Sequence, residues 1–342
     1  MTLADVAAAS GVSVTTASLV LTGRARELRI SEAAEQRVRS TARELGYRRG
    51  TPAGGPRSGL SRTIGFVLDT GPAGDVVKGA VEAAHRHGFM LLVAESGGDP
   101  AMGRSLVEAM RDRRADGVVF AATRPGTVAE PDGLGHGPAV VLSCAAALSS
   151  CLPTVVPDEE RGGRSAARVL LDAGHDRGVH LIGAGPGPCD VPPDGVAAVD
   201  RLAGLRAVFD AAGVEVVSTH SCPKWTPEDG YAATTNLLRR HRPRALLCLD
   251  DRLAFGAYQA LADAGLSVPG DVSVLGFGDF PVASWTRPRL TTVALPCHEL
   301  GARAVDVLVE IVEGRGRGAR PPLVHRVPMP VRRGGSVARA HR

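Results

Sequence analysis

The sequence predicts an α/β protein with a small helical head, a linker and a large body of parallel sheets. Its 342 residues are enough for two or three domains. Apolar residues recur at helical spacing near the N-terminus, whereas beyond residue 62 short apolar runs alternate with helix-length segments. The composition, 44% hydrophobic and 22% charged, is typical of folded globular proteins and excludes a largely disordered chain.

Three short helices are predicted in the head, each preceded by a side chain that can cap a helix N-terminus. The predicted caps and helices are Thr2 with Asp5 for a helix that ends at Ser10, Ser13 for Val14 to about Leu21, and Ser31 for a helix that ends near Leu45. The first two helices are separated by the turn Ser10-Gly11-Val12. This arrangement is a helix-turn-helix pattern.

The charge is concentrated in the head. Residues 1–62 contain ten arginines and five acidic residues, a balance of +5, and the remaining 30 basic and 31 acidic residues give the rest of the chain a balance of −1. A basic head on a neutral body is typical of a protein that presents one end to a polyanion. Together with the helix-turn-helix pattern, this predicts double-stranded DNA as a partner.

Residues 48–62 are predicted to form a linker, because they are rich in proline and glycine and lack hydrophobic periodicity. The expected domains are therefore a head at 1–47, the linker at 48–62 and a body at 63–342. Strands are predicted at 63–68, 89–94, 117–121, 139–143, 179–183, 245–249 and 271–277. Helices are predicted near 75–87, 101–114, 160–173, 198–212, 228–241, 252–264 and 297–313. Strands that are apolar throughout and followed by helices indicate parallel sheets, and this many units favour two lobes over one.

Other functional classes have little support in the sequence. The six cysteines show no CxxC pair and no histidine at zinc-ligand spacing, so we expect no metal site. The run from Gly183 to Gly187 lacks the helix start of a dinucleotide loop, and we expect no cofactor and no catalysis. Without a signal peptide or an apolar run of about 18 residues, the expected location is the cytoplasm, with no membrane contact.

Polar residues follow several of the apolar runs, at the sheet edge where open α/β folds bind ligands. Asp158 follows TVVP, Asp250 and Asp251 follow ALLCL, and Gly278 with Asp279 end the run DVSVLGFGD. These positions predict a ligand cleft, although Asp251 has the alternative role of capping the next helix.

Several segments resemble the lactose-repressor (LacI/GalR) family of bacterial transcription regulators. They are LADVAAASGVSVTTASLVLTG and ISEAAEQRVRSTARELGY in the head, and RRADGVVFA, PDEERGGRSAARVLLDAGH, RLAGLRAVFDAAGV, LCLDDRLAFGAYQALADAGLSVPGDVSVLGFGD and LTTVALPCHELGARAVDVL in the body. They follow the family's order and spacing over nearly the whole chain. The resemblance implies a homodimer whose body is similar to periplasmic sugar-binding proteins. Its two lobes would span about 63–156 with 292–325 and about 157–291 with 326–342.

The hydroxyl-rich start of the second helix suits phosphate oxygens, and the resemblance adds positions that meet base edges. The expected DNA-binding residues are Thr2, Ser13, Val14, Thr15, Thr16, Ser18, Leu19, Arg24, Arg26 and Arg29. The three arginines are expected at phosphates, with simple solvation as the alternative. Leu19 cannot make the bidentate contact to guanine that an arginine makes, so the operators of better-known relatives do not transfer to this chain.

The resemblance also implies a hinge helix in the linker that wedges a leucine into the minor groove. At that position this chain has Pro56, preceded by Gly54 and Gly55. Each glycine costs about 1 kcal/mol of helix propensity and an interior proline about 3 kcal/mol. We therefore expect residues 50–60 to remain largely irregular, even on DNA, and the operator to be bent less than a wedged one.

Two further cleft residues come from the resemblance. Arg201 and Trp225 match positions that line the effector cleft, where a guanidinium donates hydrogen bonds and an indole packs against an apolar sugar face. Alternatively, Arg201 braces the lobes and Trp225 belongs to the core. Gly278 stands where sugar-responsive relatives commonly carry an acid, which disfavours a simple hexose.

The predicted function is that of a DNA-binding transcription regulator, most often a repressor in this family. A small polar effector, such as a sugar or nucleoside, would control its affinity for the operator. One alternative is a small-molecule receptor whose DNA regulation is impaired or atypical because its hinge is degraded. A two-lobed enzyme is the other alternative, and the basic head disfavours it.

Overall fold

A computed structural model describes residues 3–21, 25, 30–45, 59–70, 74–122, 131–143, 152–187, 190–192, 197–314 and 323–340. The chain divides into two compact units, Met1–Ser61 and Arg62–Arg342. Residues 48–58 of the predicted linker, including Pro56, lie outside the described residues. The expectation of an irregular hinge therefore stays a prediction.

The three predicted helices of the head are present as α1 (Leu3–Ser10), α2 (Val14–Leu21) and α3 (Glu32–Glu44). A bend of 104° separates α1 from α2, within the range of helix-turn-helix units. The turn passes through Gly11 at a φ of 67°, a left-handed conformation that glycine adopts without steric cost. The apolar core of the head consists of Val6, Ala7, Ala17, Val20, Ala25, Val38 and Ala42.

Among the described residues, no single helix is long and apolar enough to cross a membrane. Taken together, α1 and α2 reach the required length and hydropathy, but the 104° bend interrupts them. Their apolar side chains form the core of the head.

The body contains two six-stranded sheets. The first consists of β1 (Thr63–Leu68), β2 (Met90–Glu95), β3 (Gly117–Ala122), β4 (Ala139–Ser143), β5 (Thr154–Pro157) and β11 (Val324–Val327), in the order β11-β5-β4-β3-β1-β2, and is parallel throughout. The second consists of β6 (Val179–Ile182), β7 (Val216–His220), β8 (Ala245–Cys248), β9 (Ser273–Gly278), β10 (Thr291–Ala294) and β12 (Val331–Arg332), in the order β12-β10-β9-β8-β6-β7. Only β12 is antiparallel to its neighbour in the described part of this sheet.

Helices pack against these two sheets. They are α4 (Gly74–Arg86), α5 (Pro100–Asp112), α6 (Glu159–Asp172), α7 (Ala197–Ala211), α8 (Pro227–Leu238), α9 (Asp251–Asp263), α10 (Pro281–Trp285) and α11 (Cys297–Val312). The first sheet with α4, α5 and α11 forms lobe 1, and the second sheet with α6 to α10 forms lobe 2.

The predicted α/β class with parallel sheets is confirmed, and all seven strands and seven helices predicted in the body are present with ends within three residues of the prediction. The prediction missed α10 and the five short strands β5, β7, β10, β11 and β12. The chain crosses between lobes after Pro157, Ala294 and Val327, because β10 pairs with β9 and β11 pairs with β5. The expected boundaries at 156, 291 and 325 were therefore too early by one to three residues.

Three helix pairs cross at glycines that face each other's backbone. A Cβ atom at any of these glycines would overlap a carbonyl oxygen of the opposite helix. The contacts are Gly79 with His298 and Gly301 with Val76 between α4 and α11, Gly163 with Arg201 and Gly204 with Glu160 between α6 and α7, and Gly230 with Leu253 and Gly256 with Pro227 between α8 and α9. Such close approach fixes the relative positions of the side chains near each crossing.

Candidate functional site

Helix α2 begins with the predicted cap. The Ser13 Oγ accepts the backbone N–H of Thr16 at 3.0 Å, and the hydroxyl oxygens of the two residues lie 2.8 Å apart. This arrangement satisfies one of the N–H groups that a helix N-terminus leaves without an intrahelical partner. Both hydroxyls are therefore part of the cap.

The opposite faces of α2 differ sharply in exposure. Ala17 and Val20 are buried in the core of the head, whereas Thr15 is exposed and Val14 keeps 49% of its surface accessible. Because residues four apart lie on one face of a helix, Leu19 shares the outward face with Thr15. A surface of this kind can enter a DNA groove.

Four predicted DNA-binding residues, Thr2, Arg24, Arg26 and Arg29, lie outside the described residues. Arg39 of α3, which the sequence did not single out, donates to Glu35 at 2.8 Å and to the carbonyl of Val20 at 3.3 Å. Its guanidinium thus fastens α3 to the last turn of α2.

In the body, two predicted cleft residues are helix caps. Asp158 accepts the backbone N–H of Arg161 at 3.2 Å and is the N-cap of α6. Asp250 accepts the backbone N–H of Arg252 at 2.8 Å and is the N-cap of α9. The alternative that Asp251 caps this helix is therefore wrong, because the chain turns one residue earlier.

Asp250 is also an ion-pair partner. The guanidinium of Arg252 donates to its two carboxylate oxygens at 2.9 and 3.0 Å, and Asp250 is buried whereas the Arg252 side chain is 45% exposed. The Arg252 guanidinium lies 5.8 Å from the centre of the Phe280 ring. Asp250 is thus oriented by its partner at the carboxyl end of β8.

Asp251 lies fully buried beside this pair. Its two carboxylate oxygens accept the Thr292 hydroxyl at 2.7 Å and the backbone N–H of Phe280 at 2.9 Å. The carboxyl therefore ties α9 to β10 and to the segment that follows β9. Burial raises the pKa of Asp251 to about 7, because a low-dielectric environment disfavours the charged form.

This raised pKa makes stability depend on pH in a defined direction. The folded protein keeps the Asp251 proton up to about pH 7, whereas the unfolded chain loses it near its ordinary pKa of 3.8, so this group stabilises the fold at low pH and loses that contribution as the pH rises through 7. In Asp251→Asn, the amide can accept from Phe280 and donate to Thr292, as the neutral acid does. We expect the melting temperature of Asp251→Asn minus that of the unchanged protein to increase from pH 5 to pH 8.

Thermal unfolding of both proteins across this range measures the difference. His180, whose pKa burial lowers to about 4, acts in the opposite direction by destabilising the fold in acid, but it is present in both proteins and cancels. A melting-temperature difference that does not change with pH would contradict the assignment.

The guanidinium of Arg201 does not point its N–H donors toward a ligand. Its Nε and Nη2 donate to the two oxygens of Glu159 at 2.8 and 2.9 Å, its Nη1 donates to the carbonyl of Leu249, and its guanidinium lies 4.3 Å from the centre of the Phe277 ring. The side chains of Arg201 and Glu159 are only 9% and 4% exposed. This geometry matches the alternative that Arg201 is a brace. The brace joins α7 to α6 and to the residue after β8, all within lobe 2, and does not link the two lobes.

Two predicted cleft residues have strained backbones. Among the described residues, four other than glycine adopt positive φ, and Trp225 at 53° and Asp279 at 56° are two of them. Trp225 packs against the apolar core of lobe 2, and its Nε1 donates to the carbonyl of Gly183 at 2.8 Å. Asp279 lies 3.6 Å from both Arg289 and Arg332. Strain of this kind is concentrated at ligand sites.

Gly278 has a φ of 127°, and a Cβ atom there would overlap the ring of Phe280. The ring therefore fills the space that a side chain at position 278 would need. Phe280 remains 37% exposed, so an aromatic edge borders this part of lobe 2.

All six predicted cleft residues belong to one connected set, which lies at the ends of β5, β8 and β9, on α7 and in the segment between β7 and α8. Asp158 begins the helix that carries Glu159, Glu159 pairs with Arg201, and Arg201 donates to Leu249, the neighbour of Asp250. On one side of this chain of contacts, Asp251 holds the segment with Gly278, Asp279 and Phe280. On the other side, Trp225 donates to Gly183. Gly183 packs closely on Leu249, since a Cβ atom on this glycine would lie 3.0 Å from the Leu249 side chain.

The sequence did not identify Glu159, Arg252 or Phe280. Glu159 has a detectable signal, because an acid directly after a helix cap is a common first-turn residue, but its partner is 42 residues away in the sequence. Within the described residues, no group of three or more His, Cys, Asp or Glu side chains could hold a metal ion.

Two protein families match separate parts of the chain. Residues 2–50 match bacterial regulatory proteins of the lacI family, and residues 167–337 match the periplasmic binding protein-like domain. The HTH-type transcriptional regulator DegA of Bacillus subtilis (strain 168) is 30% identical over 309 residues, 88% of each chain. The ribose operon repressor of Escherichia coli (strain K12) is 30% identical over 315 residues, 90% of this chain and 92% of that one.

Among solved structures, the lac repressor dimer bound to operator and the anti-inducer ONPF superposes with a TM-score of 0.75 and 23% identity, covering 99% of both chains. That likeness concerns the fold. From the matches of its head and body, and from its similarity to curated regulators over most of its length, the chain belongs to the lacI family of bacterial regulatory proteins.

Proposed function

We propose that this protein is a sequence-specific DNA-binding transcription regulator, with repression as its action, whose operator affinity depends on a small polar effector bound between the two lobes. The observation that carries the proposal is the capped helix α2, whose outward face displays Thr15 and Leu19. Membership of the lacI family supports it, as do the names of the relatives, one of which is a ribose operon repressor.

For the DNA contact, we assign base edges to Val14, Thr15 and Leu19 and phosphates to Ser18 and the start of α2. Thr2, Arg24, Arg26 and Arg29 are proposed as further phosphate contacts on sequence grounds. Ser13 and Thr16 act mainly by shaping the helix start, since their hydroxyls bond to the cap.

For the effector, we propose a sugar or nucleoside held by the connected set in lobe 2. Asp158, Asp250 and Asp279 supply hydrogen-bond acceptors. Trp225 supplies only the face of its ring, because its N–H already donates to the carbonyl of Gly183. Gly278 leaves room for the ring of Phe280. Arg201 is a positioning residue in this scheme, since its bonds to Glu159 and to the carbonyl of Leu249 hold the segments that carry Asp158 and Asp250.

The proposed regulator acts as a homodimer in the cytoplasm, where its DNA is found, and has no catalytic step. Two half-sites are needed because one short helix makes too few base contacts for a unique genomic site. The apolar faces of α4 and α11 already pack against each other. The exposed apolar side chains of α4 and β2, which are Val81, Met90 and Val93, are therefore the proposed dimer surface.

Selection from random-sequence DNA duplexes with the full chain tests the proposal. We expect a two-fold symmetric site whose affinity falls at least about tenfold between roughly 50 and 200 mM salt. Thr15→Ala should weaken binding about tenfold by removing a contact from each half-site.

The matched control is Ser40→Ala, which removes an exposed hydroxyl from α3, where it bonds to the carbonyl of Arg37. This variant should bind normally. No enriched sequence, or equal binding of the selected site by residues 62–342 alone, would contradict the proposal.

A further inference from the structure

Helix α2 has few groups with which to read a base by hydrogen bonding. The hydroxyls of Ser13 and Thr16 are bonded in the cap. The guanidinium of Arg39, at the far end of the helix, is bonded to Glu35 and to the carbonyl of Val20. None of these three side chains is placed to form the two-pronged contact that distinguishes guanine or adenine in the major groove.

The outward face is instead rich in methyl groups. Thr15 and Leu19 are one turn apart, opposite the buried Ala17 and Val20. At the N-terminal end, Val14 is 49% exposed. The face that meets the groove is thus formed by the methyl groups of these three residues, with the hydroxyl groups of Thr15 and Ser18 beside them.

We infer that α2 identifies its half-site through the 5-methyl group of thymine, with Leu19 as the specificity-determining residue. The inference rests on the proposed function. Thymine is the one standard DNA base that presents a methyl group in the major groove, and an apolar contact is the contact that Leu19 can make. Burial of one methyl group corresponds to about a fourfold change in Kd.

The experiment uses the full chain and the site enriched from random duplexes. Each thymine in that site is replaced in turn by deoxyuridine, which keeps base pairing and removes only the methyl group. We expect one symmetry-related pair of positions at which loss of both methyl groups weakens binding about tenfold or more.

The Leu19→Ala variant should bind more weakly and lose this sensitivity, because the alanine does not reach the methyl group. Ser18→Ala serves as the matched variant from the same turn. Whatever its affinity, its ratio of Kd values for thymine and uracil sites should equal that of the unchanged protein.

The possible failures are distinguishable. Equal binding to every uracil-substituted site would overturn the inference while leaving specific DNA binding intact, and so would a Leu19→Ala variant as sensitive as the unchanged protein. Failure to enrich any sequence would overturn both the inference and the proposed function.

Discussion

Replacing Gly204 with alanine should destabilise lobe 2 by about 3 kcal/mol or more. Its Cβ would overlap the carbonyl oxygen of Glu160 and lie 3.0 Å from the backbone nitrogen of Arg164. Backbone cannot move aside as a flexible side chain can, so α7 would have to shift away from α6, at the upper end of overpacking costs. Urea unfolding of the full chain measures the loss.

Gly103→Ala is the matched control, because it makes the same change in the interior of α5. There the nearest atom to the new Cβ is Pro131 Cγ at 3.5 Å, an ordinary van der Waals contact. Alanine has the better helix propensity, so this variant should be stabilised by up to about 1 kcal/mol. Similar unfolding free energies for the two variants would show that the α6–α7 crossing is looser than described.

The second large effect is expected at the buried ion pair. Arg201→Met should cost about 3–5 kcal/mol of unfolding free energy, because it leaves the Glu159 carboxylate buried without the fork that neutralises it. Replacing both partners, as in Glu159→Leu with Arg201→Met, should recover most of this loss, since an apolar pair does not require desolvated charges. Denaturant unfolding of the single and double variants gives both values.

An exposed ion pair on α6, the helix that carries Glu159, provides the comparison. Arg164 and Glu160 are four residues apart on α6 with 39% and 52% of their side chains accessible, so Arg164→Met should change the unfolding free energy by less than about 1 kcal/mol. If Arg201→Met were equally mild, Arg201 would be available to the effector rather than committed to Glu159.

The sequence predicted the longer elements well because their signals are local. Apolar residues at helical spacing after Ser13 and Ser31 predicted α2 and α3. Both serines cap these helices as predicted, because their Oγ atoms accept the backbone N–H groups of Thr16 and Ala34. In contrast, β7 and β11 contain mixed polar and apolar residues at sheet edges. Partners far along the chain select such strands, and a local window does not contain those partners.

The cleft illustrates the same limit at the level of side chains. The pattern of strands followed by polar residues predicted that Asp158, Asp250 and Asp279 lie at the carboxyl ends of strands, and they lie at the ends of β5, β8 and β9. The sequence did not show whether Asp250 or Asp251 caps α9, because the turn into the helix begins one residue earlier than expected, at Asp250. The pairing of Arg201 with Glu159 depends on the α6–α7 crossing, which no local pattern reveals.

Control of the head by an effector bound between the two lobes is tested most directly by the operator Kd measured with and without effector. A thermal-shift screen of sugars and nucleosides against the full chain identifies a compound that raises the melting temperature, and fluorescence anisotropy then gives the Kd for the selected DNA site. We predict a change of at least about fivefold at saturating compound, since a ligand that prefers one lobe arrangement must shift the coupled equilibrium. A compound that stabilises the body while leaving the operator Kd unchanged would contradict the account.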